Sequence, residues 1–277
     1  YEWALRQLFD VRNFSRVIIL EDDMELSPDF FSFFEATAPI LDADPTLWCV
    51  SSWNDNGLEP FVSDPKQVYR SDFFPGLGWM LTKREWAELG TMWTTGPPSI
   101  PGIFGGYWDD WMRSNEVRRG RQCLRPEICR TFNFGEVGSS KGQFFQQYLS
   151  KIKLNDVNVD FAALDLSYLS PEVYPVEFQR QLADATEANQ VSELESLAEK
   201  EVKDVKLIYR SQKHFEQLAR QLRIMGEWKA GVPRGSYQGV VTFKLNEGRM
   251  RVFLAPSPKT INLHQEGWII PPDGSRP

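Results

Sequence analysis

The stretch Arg16-Val17-Ile18-Ile19-Leu20-Glu21-Asp22-Asp23 decides how the rest of the chain is read. Its first five residues are a short apolar run rich in β-branched side chains, the pattern of a buried strand in a parallel sheet. The run ends abruptly in three adjacent acids. Ser27-Pro28-Asp29 then offers an N-cap, a proline for the first helical position and an acid for the first turn. Phe30, Phe31, Phe33 and Phe34 follow on a helix expected to end near Asp42.

Outward from there the same grammar repeats. Leu47–Ser51 is a second buried strand, followed by the polar turn Asn54-Asp55-Asn56-Gly57. Residues 78–81 form another strand, and Thr82 with Glu85 makes a capping box for the helix that carries Trp86. Alternating strands and helices predict an α/β fold with helices covering a mostly parallel sheet. Residues 92–106, rich in proline and glycine, read as an exposed loop, and 134–142 has the composition of a mobile lid. Residues 172–203 are polar and helix-favouring and are expected to link two domains. Beyond them come a strand (205–209), a helix (211–225), two strands (239–245 and 250–254) and an extended, proline-rich tail. The expected division is a catalytic domain over 1–170 with a lid at 134–148, a linker over 171–203, and a smaller α+β domain over 204–277.

Composition narrows the function. The 277 residues are 42% hydrophobic, enough for a sizeable core, and carry ten tryptophans, a residue type whose face stacks well on sugar rings. A net charge of −7 and the lack of a long basic block exclude nucleic acid as the expected partner. No window approaches the roughly 20 apolar residues of a membrane span. The chain opens at Tyr1 inside a helical pattern without an initiator methionine, so we expect a partial catalytic region whose membrane anchor lies upstream. Of three cysteines at most one pair can form; Cys49 with Cys123 and three buried thiols are both open on spacing alone. Asn13-Phe14-Ser15 is a glycosylation acceptor pattern.

Two constellations carry chemistry. Glu21-Asp22-Asp23 stands beyond the carboxyl end of a strand, where open α/β sheets bind ligands. Adjacent acids repel, and a hard divalent cation that also holds a diphosphate would compensate them; a solvated acidic turn is the plainer alternative. In Tyr107-Trp108-Asp109-Asp110-Trp111, two carboxylates between indoles can form a sugar platform with a general base, or simply the start of an amphipathic helix. With only His214 and His264, and no HExxH spacing, a histidine zinc site is excluded, and neither a GxSxG elbow nor a GxxxxGK phosphate loop is present. Gly76-Leu77-Gly78 is too short for a dinucleotide fingerprint, and His214 reads as structural or exposed.

The segments IILEDDMELSPDFFSFF, LWCVSSWNDNG, YRSDFFPGLGWML, YWDDWMR, RPEICRTFNFG and GQFFQQYL, in this order, together resemble the N-acetylglucosaminyltransferase I family. The resemblance runs from Tyr1 to about Leu169 and returns at 231–243. It implies a GT-A-type nucleotide-sugar domain, here without its first strands, and manganese(II) as cofactor. It also implies inverting transfer of N-acetylglucosamine from UDP-N-acetylglucosamine to O2 of the α-1,3-linked mannose of a high-mannose N-glycan. By the same resemblance Asp23 is the metal ligand, Asp22 and Glu21 bind the donor, and Trp108 lines the donor sugar. Asp109 is the base, Ser140 belongs to the loop that orders over the donor, and Cys49 pairs with Cys123. A Golgi-lumenal, single-pass type II membrane protein is implied too. The chain departs from the family in the length of its loop at 94–106. A protein O-mannose β-1,2-N-acetylglucosaminyltransferase and a catalytically inactive glycan-binding module of the same fold are the alternatives. A two-metal phosphodiesterase would need more histidines or a second acid cluster.

Overall fold

The computed structural model describes residues 1–93, 108–136 and 145–257. In chain order its strands are β1 (Arg16–Ile19), β2 (Met24–Leu26), β3 (Leu47–Ser51), β4 (Val68–Ser71), β5 (Trp79–Thr82), β6 (Gln122–Pro126), β7 (Thr131–Asn133), β8 (Thr186–Ala188), β9 (Asp204–Tyr209), β10 (Trp228–Lys229), β11 (Val232–Pro233), β12 (Val241–Leu245) and β13 (Met250–Pro256). The α-helices are α1 (Glu2–Arg6), α2 (Phe30–Ala43), α3 (Lys83–Met92), α4 (Trp108–Arg113), α5 (Asn115–Arg118), α6 (Tyr174–Asp184), α7 (Glu193–Glu199) and α8 (Gln212–Leu222). Among the described residues no helix is long and apolar enough to cross a membrane.

The class is mixed α/β, but the main sheet is not mostly parallel. Its five strands run in the order β1-β5-β3-β6-β4, and β3–β6 is the one parallel pair among them. The reason lies in what an apolar run encodes. It reports burial, not strand direction. β1, β3 and β6 do point the same way, as strand–helix–strand alternation requires. However, β5 is inserted antiparallel between β1 and β3, and β4 closes the far edge antiparallel to β6. β1 itself is an edge strand of which Ile19 alone is buried, where the sequence led us to expect full burial.

Local signals fared unevenly. The capping box at α3 forms, with the Thr82 backbone N–H donating to Glu85 Oε2 at 3.0 Å. Helix α2 starts later than expected, with Asp29 rather than Ser27 at its N-cap, and the Asp29 carboxylate does not cap. It is drawn instead into a buried ion pair with Arg130. The Gly76-Leu77-Gly78 turn is a left-handed passage, with all three residues at positive φ. Residues 171–203 are folded: they supply α6, β8 and α7, and β8 pairs in parallel with β9.

β12-β13-β9-β8 form a second sheet, with α8 capped by Ser211 as its helix. One cluster of buried side chains joins Phe33, Phe34 and Val50 of the first sheet layer to Phe178, Tyr237 and Phe253 of the C-terminal part. On the opposite face, Phe9, Trp48, Phe74, Trp79, Trp86 and Met112 build an aromatic layer. Cys49 and Cys123 sit side by side on β3 and β6 and form a disulfide, their Cα atoms 4.7 Å apart across 74 residues of chain. Closing a loop of that length stabilises by about 4 kcal/mol in the chain-entropy model. Cys129 remains free and buried, and burial pushes its thiol up to about 12, so it stays protonated.

Candidate active site at the end of the first strand

β1 ends at Ile19, and the chain turns through Glu21, Asp22 and Asp23 before entering β2. β2 pairs antiparallel with β7, setting Met24 opposite Asn133. That pairing fixes Asp23. Its Oδ1 accepts a hydrogen bond from Asn133 Nδ2 at 2.9 Å, and its carbonyl accepts one from the Phe134 amide at 2.9 Å. Gly135 follows, and a Cβ there would stand 2.0 Å from Asp23 Oδ2. Only a residue without a side chain lets the backbone lie this close to the carboxylate.

The second constellation arrives on α4. The Trp108 ring stacks on Trp79 with centroids 5.9 Å apart and meets the tilted ring of Tyr1 at 4.5 Å. Tyr1 then joins the two constellations, because its hydroxyl donates to Glu21 Oε1 at 3.2 Å. Asp109 and Asp110 extend from the same helix turn. Arg113, one turn on, pairs with Asp109 at 2.5 Å and with Asp110 at 3.4 Å, and is itself fixed by a bond from Nε to the Phe74 carbonyl at 3.1 Å. Asp110 also faces Lys229 at 3.4 Å and is 12% exposed, whereas Asp109 is 34% exposed. Of the two, Asp109 is the acid that a ligand can reach.

Electrostatics show that the constellations share one space. Burial pushes the Glu21 carboxyl above the usual carboxylate range; the Tyr1 hydroxyl bond holds it down, while the charges of Asp23, Asp109 and Asp22 push it further up. The Tyr1 hydroxyl is likewise held protonated by burial and by the neighbouring charges of Glu21, Asp109 and Asp23. The structure therefore brings Glu21, Asp22, Asp23, Trp108 and Asp109 together; Cys49 and Cys123 lie in the sheet as a structural bridge. Ser140, much of the lid at 134–148 and the loop at 94–106 lie outside the described residues. Sequence reading missed Tyr1 and Asn133, whose roles depend on β-pairing and ring contact. Gly135 carried a signal, as a glycine two residues beyond a strand end.

Among the described residues no group of three or more His, Cys, Asp and Glu side chains forms a cage for a metal ion. A cation that is shared with a ligand's phosphates needs only one or two protein carboxylates. Asp23, oriented by Asn133, offers one.

Fold and site together define a mixed α/β protein with an acidic site at a strand terminus, lined by an indole. The chain belongs to the GNT-I family, whose model matches residues 1–268. It is similar to the alpha-1,3-mannosyl-glycoprotein 2-beta-N-acetylglucosaminyltransferase of Arabidopsis thaliana, with 52% identity over 254 residues, which are 92% of this chain and 54% of that protein. The chain thus spans about half the length of the curated relative it matches.

Proposed function

We propose that the chain is the greater part of the catalytic region of a manganese-dependent, inverting N-acetylglucosaminyltransferase of GT-A architecture. Its donor is UDP-N-acetylglucosamine, and its acceptor is O2 of the α-1,3-linked mannose of a high-mannose N-glycan, giving a β-1,2 linkage. One observation carries this reading: Glu21, Asp23 and Asp109 converge beside Trp108, and among the described residues no basic side chain pairs with the strand-end acids. The name of the Arabidopsis relative supports the sugar and the linkage.

Asp23 is the residue that would hold manganese, and Asp22 and Glu21 would bind the donor. The donor set fits, being hard carboxylate oxygen with Asp23 oriented by Asn133. When bound, the ion neutralises charge on the departing diphosphate as a Lewis acid. Asp109 accepts the proton of the mannose 2-hydroxyl. The freed oxygen forms a bond to the anomeric carbon from the face opposite UDP, and the bond from that carbon to the β-phosphate oxygen breaks with its electron pair on UDP. Arg113 holds Asp109 in place until the acceptor arrives. Trp108, held by ring contacts with Trp79 and Tyr1, offers the donor sugar an aromatic wall. A Golgi-lumenal location behind an upstream type II anchor goes with this reading, and the Cys49–Cys123 disulfide supports an oxidising compartment.

The test is Asp109→Asn, assayed for sugar transfer alongside donor binding. Loss of a general base costs about 10²–10⁴-fold in rate. Transfer within a few-fold of the unaltered rate, with donor bound normally, would remove Asp109 from the role.

A further inference from the structure

A groove of about 950 Å³ lies between the segment around Tyr148 and the carboxyl end of α8. We propose that it binds the non-reacting arm of a branched oligosaccharide acceptor, a reading that rests on the transfer proposed above. Three observations assign it this ligand class.

The first is continuity with the site. Glu227 lines the groove and contacts Lys229 at 3.7 Å, and Lys229 contacts Asp110 at 3.4 Å, the neighbour of Asp109. A ligand lying in the groove therefore ends two ion pairs away from Asp110, the chain neighbour of the acid assigned to the acceptor hydroxyl. Glu227 is itself fixed by Arg234, which is anchored on Asp55 at 2.9 Å, so this end of the groove is rigid.

The second is charge. Three acids, Glu59, Glu216 and Glu227, and three bases, Lys151, Arg220 and Arg223, line the groove. The balance disfavours a polyanion or a polycation and suits a neutral ligand dense in hydroxyl groups, each able to donate to a carboxylate and accept from a guanidinium. The third is size. Sites for single small molecules span roughly 300–1,000 Å³, and this groove stands at the upper end, with room for more than one sugar ring. Its two walls come from distant parts of the chain. Burial pushes the Tyr148 hydroxyl up and the Arg220 guanidinium opposes the shift, which puts the two within electrostatic reach across the groove.

Glu216 and Arg220 stand one turn apart on the outer surface of α8, and Arg220 is exposed, so replacing both leaves the core untouched. The experiment is a calorimetric titration of the full chain, and of the Glu216→Ala/Arg220→Ala double variant, with a branched oligomannoside carrying both arms. We expect the variant to bind about tenfold more weakly, the loss of one or two charge-assisted hydrogen bonds. In saturation-transfer NMR, protons of the non-reacting arm should receive saturation from the unaltered chain and lose it in the variant. Dissociation constants within twofold of each other, with no saturation of that arm, would overturn the groove assignment. Because binding needs no transfer, the two readings fail separately: an oligomannoside affinity that depends on Arg220, in a chain whose transfer proves independent of Asp23 and Asp109, refutes the proposed chemistry and keeps the groove. An active chain indifferent to Arg220 does the reverse.

Discussion

Two sets of acids in this molecule live under opposite rules. In the interior, Asp29, Asp44, Asp55, Glu85 and Glu127 each have a cation of their own. Asp29 and Arg130 pair at 3.0 Å with neither side chain exposed, and Asn155 and Ser27 satisfy the other Asp29 oxygen. Asp44 and Arg70 pair at 2.7 Å, also buried. At the end of β1 the arrangement is inverted. Among the described residues Glu21, Asp22 and Asp23 form no ion pair, and the charges that act on Glu21 are those of Asp23, Asp109 and Asp22. The interior acids are there to be neutralised within the fold. The strand-end acids raise one another's cost, and folding alone gives no reason for keeping them. A cation brought in with a ligand does.

The sharpest way to break the comparison is to neutralise one member of each set. Asp23→Asn should lower sugar transfer by about 10³-fold or more, because several kcal/mol of charge stabilisation at the leaving group depend on the ion it holds. Thermal stability of the metal-free chain should stay the same or rise, since a repelling charge has gone. Arg130→Met should do the opposite. It strands Asp29 in the interior and costs about 3–5 kcal/mol, seen as a fall in Tm on the order of 10 °C. If Asp23→Asn destabilised the fold as Arg130→Met does, the strand-end acids would be structural and the distinction would vanish.

Gly135→Ala sharpens the same contrast with a smaller effect. The added methyl group must displace the Asp23 carboxylate, which stands 2.0 Å from its position. A shift of about 1 Å at a reacting centre costs on the order of 10²-fold. Transfer should fall by about 10–100-fold and recover in part at high manganese concentration, a rescue that Asp23→Asn should not show.

What could be read beforehand follows from which signals are local. The end of β1, the capping box at Thr82 and Glu85, and the N-cap of α8 at Ser211 are written within a few residues, and each is present. Sheet order was not legible, because the insertion of β5 between β1 and β3 is a long-range pairing that no apolar run encodes. Asp29 shows the same limit from the other side. Its sequence context says helix N-terminus, and a buried arginine 101 residues away outbids that role. At the site, the acids and the indole were legible as residue types. Their convergence was not, since it depends on Asn133 reaching Asp23 from β7 and on Tyr1 lying across Trp108.

Tyr1 offers the finest test, because its hydroxyl is the one neutral group holding Glu21 down among three charges that push it up. Tyr1→Phe keeps the ring against Trp108 and removes only that hydrogen bond. The sign follows directly. Without the donor, the carboxylate form of Glu21 loses its stabilisation and the group holds its proton to a higher pH. A native Glu21 that binds its proton more tightly than the unfolded chain makes the fold lose stability as pH rises through its titration, and the variant should show that loss displaced upward. A protonated Glu21 also competes with the cation, so the acidic limb of the pH–rate profile should move to higher pH, with less than about tenfold change on the plateau, the scale of one partly exposed charged hydrogen bond. A limb unmoved in Tyr1→Phe, measured at saturating donor, would mean that Glu21 does not titrate with activity.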